Sequence, residues 1–295
     1  MFRRMLPPVI ALVVFGALLF SFGRQFIAPP PRQDVIEGPG GWLFPGWNKL
    51  VGADKRTTDE AVTAIVATVA KLKEAGARPF ILLVPEKVRI LPQHAPTAMR
   101  AEAADMRPWN EVVGALRAKG LTVIDAAPVL QAVAATGVSP FERQDAHWTS
   151  ATAEEVARAA AKVIAQGPPL LGAQGDGETP GPRINVRRYP DLVEIQRHKG
   201  DNRYGEDTYI LRGWTTPKME HPAIQLFGNS FVDRQYGFPQ TLSETLDRRV
   251  AHHVNFGREG PWVSMNAYLK SARIVPGEVV VWQLGEGGLT GAVIK

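Results

Sequence analysis

The chain of 295 residues contains no cysteine. This absence excludes disulfide bonds, thiolate metal sites and a lipid attached to a cysteine. The sequence also has no run of Lys and Arg interleaved with aromatic residues, which argues against a nucleic-acid-binding protein. It has no HExxH motif or similar spacing of zinc ligands, and no internal repeat. We therefore expect no metal, no cofactor and no nucleic-acid partner.

Two positive residues, Arg3 and Arg4, precede an uncharged and mainly apolar stretch from Met5 to Gly23. Its length is about what a helix needs to cross a hydrocarbon core of roughly 30 Å. A cleaved signal peptide is the alternative, but the stretch is long for a signal sequence and lacks an Ala-x-Ala site. We expect residues 1–23 to form an uncleaved, single-pass anchor in a bacterial inner membrane. The positive-inside rule then places the rest of the chain in the periplasm.

Beyond this stretch, residues 24–36 include three consecutive prolines, which predicts a semi-rigid linker. Residues 37–295 are enough for one catalytic domain with a single sizeable core, because 45% of the chain is apolar. The formal net charge of +5 favours an acidic polymer or an anionic membrane surface as a partner, although the charges are scattered along the sequence.

Apolar runs without alternation, typical of strands buried on both faces, alternate along the chain with segments of helical period. The predicted strands are residues 42–44, 79–85, 121–125, 223–227 and 279–283. The predicted helices are residues 57–75, 105–119, 129–135, 149–165 and 240–249. Residues 183–222 lack a clear period and are predicted to be a loop-rich insertion with a strand near 209–211. This alternation predicts an α/β fold with a mostly parallel sheet and helices on both faces.

Two short motifs supply an acid, a base and a nucleophile. The first is DAHW at 145–148, and the second is GNSF at 228–231, directly after a predicted strand. A serine needs a histidine to take its proton, and that histidine needs a carboxylate to fix its tautomer. In an extended segment residues i and i+2 point the same way, so Asp145 can reach one ring nitrogen of His147 and leave the other for Ser230. A sharp turn after a strand would put Ser230 at the carboxyl edge of the sheet.

Structural explanations exist for each motif taken alone. A serine after a strand often caps the following helix, and an Asp-x-His sequence is also found in ordinary helix-entry loops. His252 and His253, in a predicted short strand, are the alternative base for Ser230, with Asp247 as the orienting carboxylate. A zinc site built from His147 and these two histidines is possible by residue type, but no motif spacing supports it.

Four short motifs in this order resemble the alginate O-acetyltransferase family of the AlgJ/AlgX type, a permuted branch of the SGNH hydrolase-like, flavodoxin-like fold. They are GWLF at 41–44, VPEK at 84–87, DAHWT at 145–149 and GNSF at 228–231. The resemblance covers roughly residues 37 to 290. It implies acetyl transfer onto hydroxyls of an exported polysaccharide, with Ser230 as nucleophile oriented by His147 and Asp145. The family usually has Asp where this chain has Asn229; asparagine tolerates the same strained backbone, so we expect the turn to survive without the acidic group.

The resemblance further implies an acetyl-serine intermediate and a membrane-bound O-acyltransferase as the donor partner. With water as the acceptor, the same site would instead make a periplasmic polysaccharide acetylesterase or deacetylase. The third interpretation is a catalytically weak glycan-binding component of an exopolysaccharide export complex.

Three residues are predicted to bind the substrate. Trp148 adjoins His147, and its ring is expected to stack on a sugar. Asn229 adjoins Ser230, and Lys87 follows a predicted strand and is a candidate to face the site, with a solvated loop lysine as the alternative. We expect the backbone N–H of Ser230 to form part of an oxyanion hole, whose second donor the sequence does not identify.

Overall fold

The computed structural model describes residues 34–47, 49–215, 223–271 and 273–290. The predicted anchor (1–23) and most of the predicted linker (24–36) lie outside these ranges. Among the described residues, no helix combines the length and the apolar character that a membrane span requires. The first strand begins at Val35, inside the predicted linker, and from there the described residues belong to one compact unit.

The architecture centres on a five-stranded parallel sheet. Its strands, in spatial order, are β4 (Val123–Asp125), β3 (Arg78–Val84), β9 (Val279–Gly285), β7 (Ile224–Gly228) and β8 (Val250–Val254). Two antiparallel pairs stand apart from this sheet: β1 (Val35–Gly38) with β2 (Trp42–Pro45), and β5 (Thr179–Arg188) with β6 (Asp207–Thr215). The predicted α/β fold with a parallel sheet is confirmed.

Helices connect these strands. They are α1 (Lys55–Glu74), α2 (Lys87–Ile90), α3 (Thr97–Ala104), α4 (Arg107–Ala118), α5 (Ala127–Ala135), α6 (Ser150–Ala165), α7 (Asp191–His198), α8 (Phe238–Leu246) and α9 (Gly260–Lys270). The predicted start of α6 is confirmed, because Thr149 caps this helix by accepting a hydrogen bond from the Thr152 N–H at 3.2 Å. Asp54 caps α1 by accepting a hydrogen bond from the Thr57 N–H at 3.3 Å.

The core lies where β3 and β9 run side by side at the centre of the sheet. Every residue of β3 from Pro79 to Val84 is buried, and so is every residue of β9 except the last. Neither strand alternates because helices cover the sheet. Truncating one of these side chains, such as Leu83→Ala, is expected to cost about 2–5 kcal/mol through lost burial and the cavity left behind.

The region predicted to be loop-rich is more regular than expected. It holds the long hairpin β5–β6 with helix α7 in its connection. Most side chains of β5 are exposed or half-buried, so this strand lacks the apolar pattern that identifies buried strands. Glu154 in α6, 1% exposed, holds the hairpin by ion pairs to Arg183 (2.9 Å) and Arg212 (3.0 Å).

Candidate active site

Ser230 lies at a sharp turn at the carboxyl end of β7. It is the first residue of a short 3-10 turn, Ser230–Val232, and is half-buried. Gly228 permits this turn because a Cβ at that position would lie 2.4 Å from Val232 Cγ2 and 2.6 Å from Gln283 Oε1. Among the described residues, no acceptor is bonded to the Ser230 N–H, which leaves it available to a ligand.

Asn229 fixes this turn through its side chain and its backbone. Its Oδ1 accepts a hydrogen bond from the Phe231 N–H at 3.1 Å, and its own N–H donates to Gln283 Oε1 at 2.9 Å. The backbone at Asn229 is extended, with φ −97° and ψ −160°. The expectation of a strained backbone at this position was therefore wrong: the residue is there as a cap, a role that an aspartate fills equally well.

Asp145 and His147 lie in a loop that folds back on itself before α6. Phe141 and Trp148 form an antiparallel bridge, and the Glu142 N–H donates to the His147 carbonyl at 3.1 Å. Asp145 Oδ1 accepts from both the backbone N–H of His147 (3.0 Å) and its ring Nδ1 (2.6 Å). The Asp-x-His spacing thus turns one carboxylate oxygen onto the ring.

The loop and the turn meet at the sheet edge. His147 Nε2 lies 2.7 Å from Ser230 Oγ, across 83 residues of sequence. The three residues proposed from sequence, Asp145, His147 and Ser230, form one continuous chain of hydrogen bonds. Because Nδ1 faces a carboxylate, the neutral ring carries its proton there and presents an unprotonated Nε2 to the serine hydroxyl. This arrangement can remove a proton from Ser230.

Asp145 is buried, and it is held ionised by its hydrogen bonds. Its second oxygen, Oδ2, accepts from the Tyr209 hydroxyl at 2.6 Å and from the Asp191 N–H at 3.3 Å. Burial alone would raise the pKa of Asp145, but the hydrogen bond and positive charge of His147 outweigh it and leave the pKa well below its usual range. Burial lowers the pKa of His147, but the carboxylates Asp145 and Asp191 more than reverse this, so the net direction is upward.

Two aromatic rings contact the imidazole, and one arginine contacts the tyrosines next to it. Tyr236 stacks on the His147 ring with centroids 4.9 Å apart, and Phe231 lies tilted at 5.3 Å. The Arg188 guanidinium lies 3.9 Å from the Tyr209 ring centroid and donates to the Tyr236 hydroxyl at 3.3 Å. These contacts leave the ring little freedom to rotate away from the serine.

Asp191 and Tyr209 also contact the catalytic candidates, and sequence reasoning missed both. Both belong to the insertion, in α7 and β6 respectively. Asp191 Oδ2 lies 3.4 Å from His147 Nδ1. The Pro190-Asp191 pair is a common start of a helix, so the sequence does indicate a helix beginning near Asp191. Nothing in the local sequence links that helix to Asp145, which lies 46 residues earlier.

Trp148 and Lys87, two of the three predicted substrate-binding residues, are buried. Trp148 is 0% exposed; its ring packs edge-on against Phe231 at 5.1 Å and stacks on Phe238 at 5.8 Å. It cannot stack on a sugar from that position, so this prediction was wrong. Asn229 is half-buried next to Ser230, and whether it contacts substrate stays a prediction.

Lys87, the third predicted substrate ligand, points inward and is 1% exposed. Its Nζ lies 2.7–3.0 Å from four backbone carbonyl oxygens, those of Leu43, Glu142, Arg143 and Asp145, which share its three N–H donors. Neither the substrate-binding role nor a solvated loop position fits. Its ammonium instead ties β2 and α2 to the loop that carries Asp145.

The alternative base and the zinc hypothesis find no geometric support. His253 bonds to Gln225 Oε1 at 2.9 Å and stacks on Phe227, within the β7–β8 edge of the sheet. In the described ranges, the one group of three side chains close enough to share a cation is Asp145, His147 and Asp191, without His252 or His253. Both ring nitrogens of His147 already face hydrogen-bond partners, so the group forms a hydrogen-bonded network and not an open set of ligands.

Comparisons with known proteins give a family and a fold for this chain. Residues 35–286 match the family described as the SGNH hydrolase-like domain of the acetyltransferase AlgX. The probable alginate O-acetylase AlgJ of Pseudomonas fluorescens is 26% identical over 287 residues, covering 86% of this chain and 68% of the relative.

Two solved structures have the same fold. The O-acetyltransferase domain of Pseudomonas putida AlgJ aligns with a TM-score of 0.73 at 22% identity, covering 88% of this chain and 92% of that domain. Pseudomonas aeruginosa AlgX aligns with a TM-score of 0.65 at 16% identity, covering 90% of this chain and 63% of AlgX. At these identities the structures show the fold alone, an SGNH hydrolase-like α/β fold.

Proposed function

The chain belongs to the family of SGNH hydrolase-like domains of the acetyltransferase AlgX, as its four motifs indicated, and from this membership we propose that it acetylates hydroxyl groups of an exported polysaccharide. The AlgJ relatives, by name alginate O-acetylases, favour a polymer of the alginate class as the acceptor. The acetyl group passes through an ester on Ser230.

One observation carries this proposal: the hydrogen-bonded chain from Asp145 through His147 to Ser230, with distances of 2.6 and 2.7 Å. This order of groups activates a serine nucleophile for acyl transfer. The position of Ser230 at the carboxyl end of a parallel strand also supports it, because open α/β sheets place their sites at that edge.

In the first half-reaction, His147 Nε2 takes the proton of Ser230 Oγ as this oxygen attacks the carbonyl carbon of the acetyl donor. The backbone N–H of Ser230 contributes to stabilising the negative charge on the carbonyl oxygen. The bond to the donor's leaving oxygen then breaks, and His147 returns its proton to that oxygen. The products are the acetyl-serine ester and the free donor alcohol.

In the second half-reaction, His147 removes the proton of an acceptor sugar hydroxyl. The sugar oxygen attacks the acetyl-serine carbonyl, the ester bond to Ser230 breaks, and the proton on His147 passes to Ser230 Oγ. Asp145 stabilises the imidazolium in both halves and stays ionised. Transfer exceeds hydrolysis when a bound sugar hydroxyl has a higher effective concentration than water, which is roughly 55 M in bulk solvent.

The location and the donor partner are part of the same proposal. The uncharged run from Met5 to Gly23, preceded by Arg3 and Arg4, supports a single-pass inner-membrane anchor with the domain in the periplasm. A membrane-bound O-acyltransferase would supply the acetyl group there. Deleting residues 1–23 should release the protein from the membrane fraction of cells, and a variant that still sediments with membranes would contradict the anchor.

The experiment is acetyl transfer by the full-length protein from an activated acetyl ester to uronic-acid oligosaccharides. Ser230→Ala should lower ester cleavage on the order of 10³-fold or more, because the nucleophile is gone. Ser271→Ala is the matched control, since Ser271 is an exposed serine at the end of α9 whose hydroxyl makes only local hydrogen bonds, to the Tyr268 carbonyl and from the Arg273 N–H. Mass spectrometry of the protein during turnover should find the acetyl group on Ser230.

Three results would count against the proposal. If Ser230→Ala cleaves the ester as fast as the wild type, the nucleophile is another residue. If acetate forms but no oligosaccharide is acetylated, the protein is an esterase. If the wild type neither cleaves the ester nor acetylates itself, the catalytic interpretation is wrong and a glycan-binding role gains support.

A further inference from the structure

A second carboxylate lies against the histidine of the proposed active site. Asp191 Oδ2 is 3.4 Å from His147 Nδ1, the same nitrogen that Asp145 Oδ1 approaches at 2.6 Å. One oxygen of each carboxylate and a ring nitrogen of His147 all lie within 4.8 Å of one another. The imidazole therefore faces two acidic groups on its Nδ1 side, where the triad requires one.

The fold holds Asp191 at this position by backbone hydrogen bonds. Its other oxygen, Oδ1, accepts from the Ala146 N–H at 2.8 Å, inside the Asp-x-His motif, and from the Leu192 N–H at 2.7 Å. Its own N–H donates to Asp145 Oδ2 at 3.3 Å. Asp191 is the first residue of α7, which lies in the connection between β5 and β6 and packs on β1 and β2. Hydrogen bonds from the motif loop and from its own helix thus fix the Asp191 carboxylate relative to the His147 ring.

We propose that Asp191 is a positioning residue of this site: its carboxylate, 3.4 Å from His147 Nδ1, places a second negative charge beside the ring and strengthens His147 as the base for Ser230. This proposal deepens the function proposed above and rests on it for its catalytic meaning. Its electrostatic part, the effect of Asp191 on the His147 ring, can be measured without turnover.

The charged and titratable groups around Asp191 support an electrostatic role. Asp145 and His147 face it from the motif loop, and Lys87, Arg188 and Tyr236 act on the same network from α2, β5 and the segment after Ser230. Burial and the neighbouring charge of Asp145 raise the pKa of Asp191 to about 7, while the positive charge of His147 opposes this. A proton on His147 therefore favours ionised Asp191, and ionised Asp191 favours the proton on His147.

Asp191→Asn separates charge from shape. The asparagine Oδ1 keeps the acceptor for the Ala146 and Leu192 N–H groups, while the amide removes the negative charge 3.4 Å from Nδ1. An opposite charge within about 4–6 Å changes a pKa by about 1–3 units, so its loss should lower the His147 pKa by about one unit. Glu194→Gln is the matched control, because it removes an exposed carboxylate from the first turn of the same helix.

Two measurements test the proposal on the full-length protein. An NMR titration of the His147 imidazole should give a pKa about one unit lower in Asp191→Asn than in the wild type or in Glu194→Gln. The acidic limb of kcat/KM for an activated acetyl ester should move to lower pH by the same amount, because the free enzyme needs neutral His147.

A His147 titration that is unchanged or higher in Asp191→Asn would overturn the electrostatic role, and Asp191 would then be a structural cap of α7. Asp191→Ala adds a second check, since it removes the charge and the backbone acceptor and should give the same change in the His147 titration together with a lower melting temperature. The proposed function would be contradicted by a different result, full ester cleavage by Ser230→Ala. In that case the His147 titration would still report whether Asp191 acts on the ring.

Discussion

Replacing Lys87 by methionine tests the buried ammonium that organises the motif loop. Methionine fills nearly the same space as lysine but cannot donate a hydrogen bond. In the wild type, the Lys87 Nζ contacts four carbonyl oxygens, three of them in the segment from Glu142 to Asp145. Lys87→Met leaves these acceptors without their donor in a region closed to water.

The expected cost follows from these contacts. A buried acceptor left without its partner costs about 1–3 kcal/mol, although such costs do not add fully. The carbonyl of Arg143 keeps a second donor, the Leu43 N–H at 3.1 Å. Burial of the ammonium lowers the pKa of Lys87 to about 7, although the negative charges of Asp145 and Asp191 oppose this shift. Replacing Lys87 by methionine removes the cost of burying that charge, which offsets part of the loss. The net loss of stability should be about 2–4 kcal/mol, or roughly 5–15 °C in melting temperature for a domain of this size.

Thermal unfolding followed by circular dichroism measures this loss, with Lys73→Met as the matched control. Lys73 is exposed, and its Nζ donates to one carbonyl, that of Gly120 at 3.1 Å, so its replacement should change stability by less than about 0.5 kcal/mol. Ester cleavage by folded Lys87→Met should also fall, because the Asp145 carbonyl is one of the four acceptors. Equal melting temperatures for the two variants would refute the assignment of Lys87 as a structural donor.

Two further predictions concern the hydrogen bond to Asp145 and the binding of the acceptor oligosaccharide. Tyr209→Phe removes the buried hydroxyl that donates to Asp145 and should lower the free energy of unfolding in urea by about 1–2 kcal/mol. The control Tyr204→Phe loses an exposed hydrogen bond and should lower it by less than about 0.5 kcal/mol. Equal losses in the two variants would contradict a stabilising role for the Tyr209 hydroxyl. Phe256 is 68% exposed on the loop after β8, at the same sheet edge as Ser230. If its ring stacks on the acceptor sugar, Phe256→Ala should raise KM for oligosaccharide acceptors without slowing ester cleavage. An unchanged KM would exclude Phe256 as a surface on which the sugar stacks.

The parts of the site that the sequence predicts are those determined by local chemistry. An apolar run followed by Gly-x-Ser indicates a strand and a turn, and Asp-x-His places a carboxylate two residues from a ring, so the positions of Asp145, His147 and Ser230 follow from short segments. The central strands are equally clear, because burial on both faces leaves an unbroken apolar run such as residues 279–282.

Burial of polar or amphipathic side chains does not follow from local pattern. Lys87 and Trp148 were expected to face substrate because they adjoin a strand end and the histidine, yet both point into the domain. A lysine is buried when several carbonyls converge on it, and here the carbonyls come from segments 44 to 58 residues away. Only the folded chain brings those acceptors together.

The motifs supply the nucleophile Ser230, and residues of the insertion act on the charges of His147 and Asp145. Asp191 reaches His147 from α7, and Tyr209 reaches Asp145 from β6, while Arg188 of β5 stacks on Tyr209. Most side chains of β5 are exposed and have few packing constraints, so much of the hairpin sequence can change while the sheet and motifs persist. Chains of this fold that keep the Asp, His and Ser but alter the hairpin should therefore differ in the pH at which the histidine becomes a base. Residues 183–222 thus contribute to the acid-base properties of the motifs, in addition to the hydrogen bond that Asp145 makes with His147.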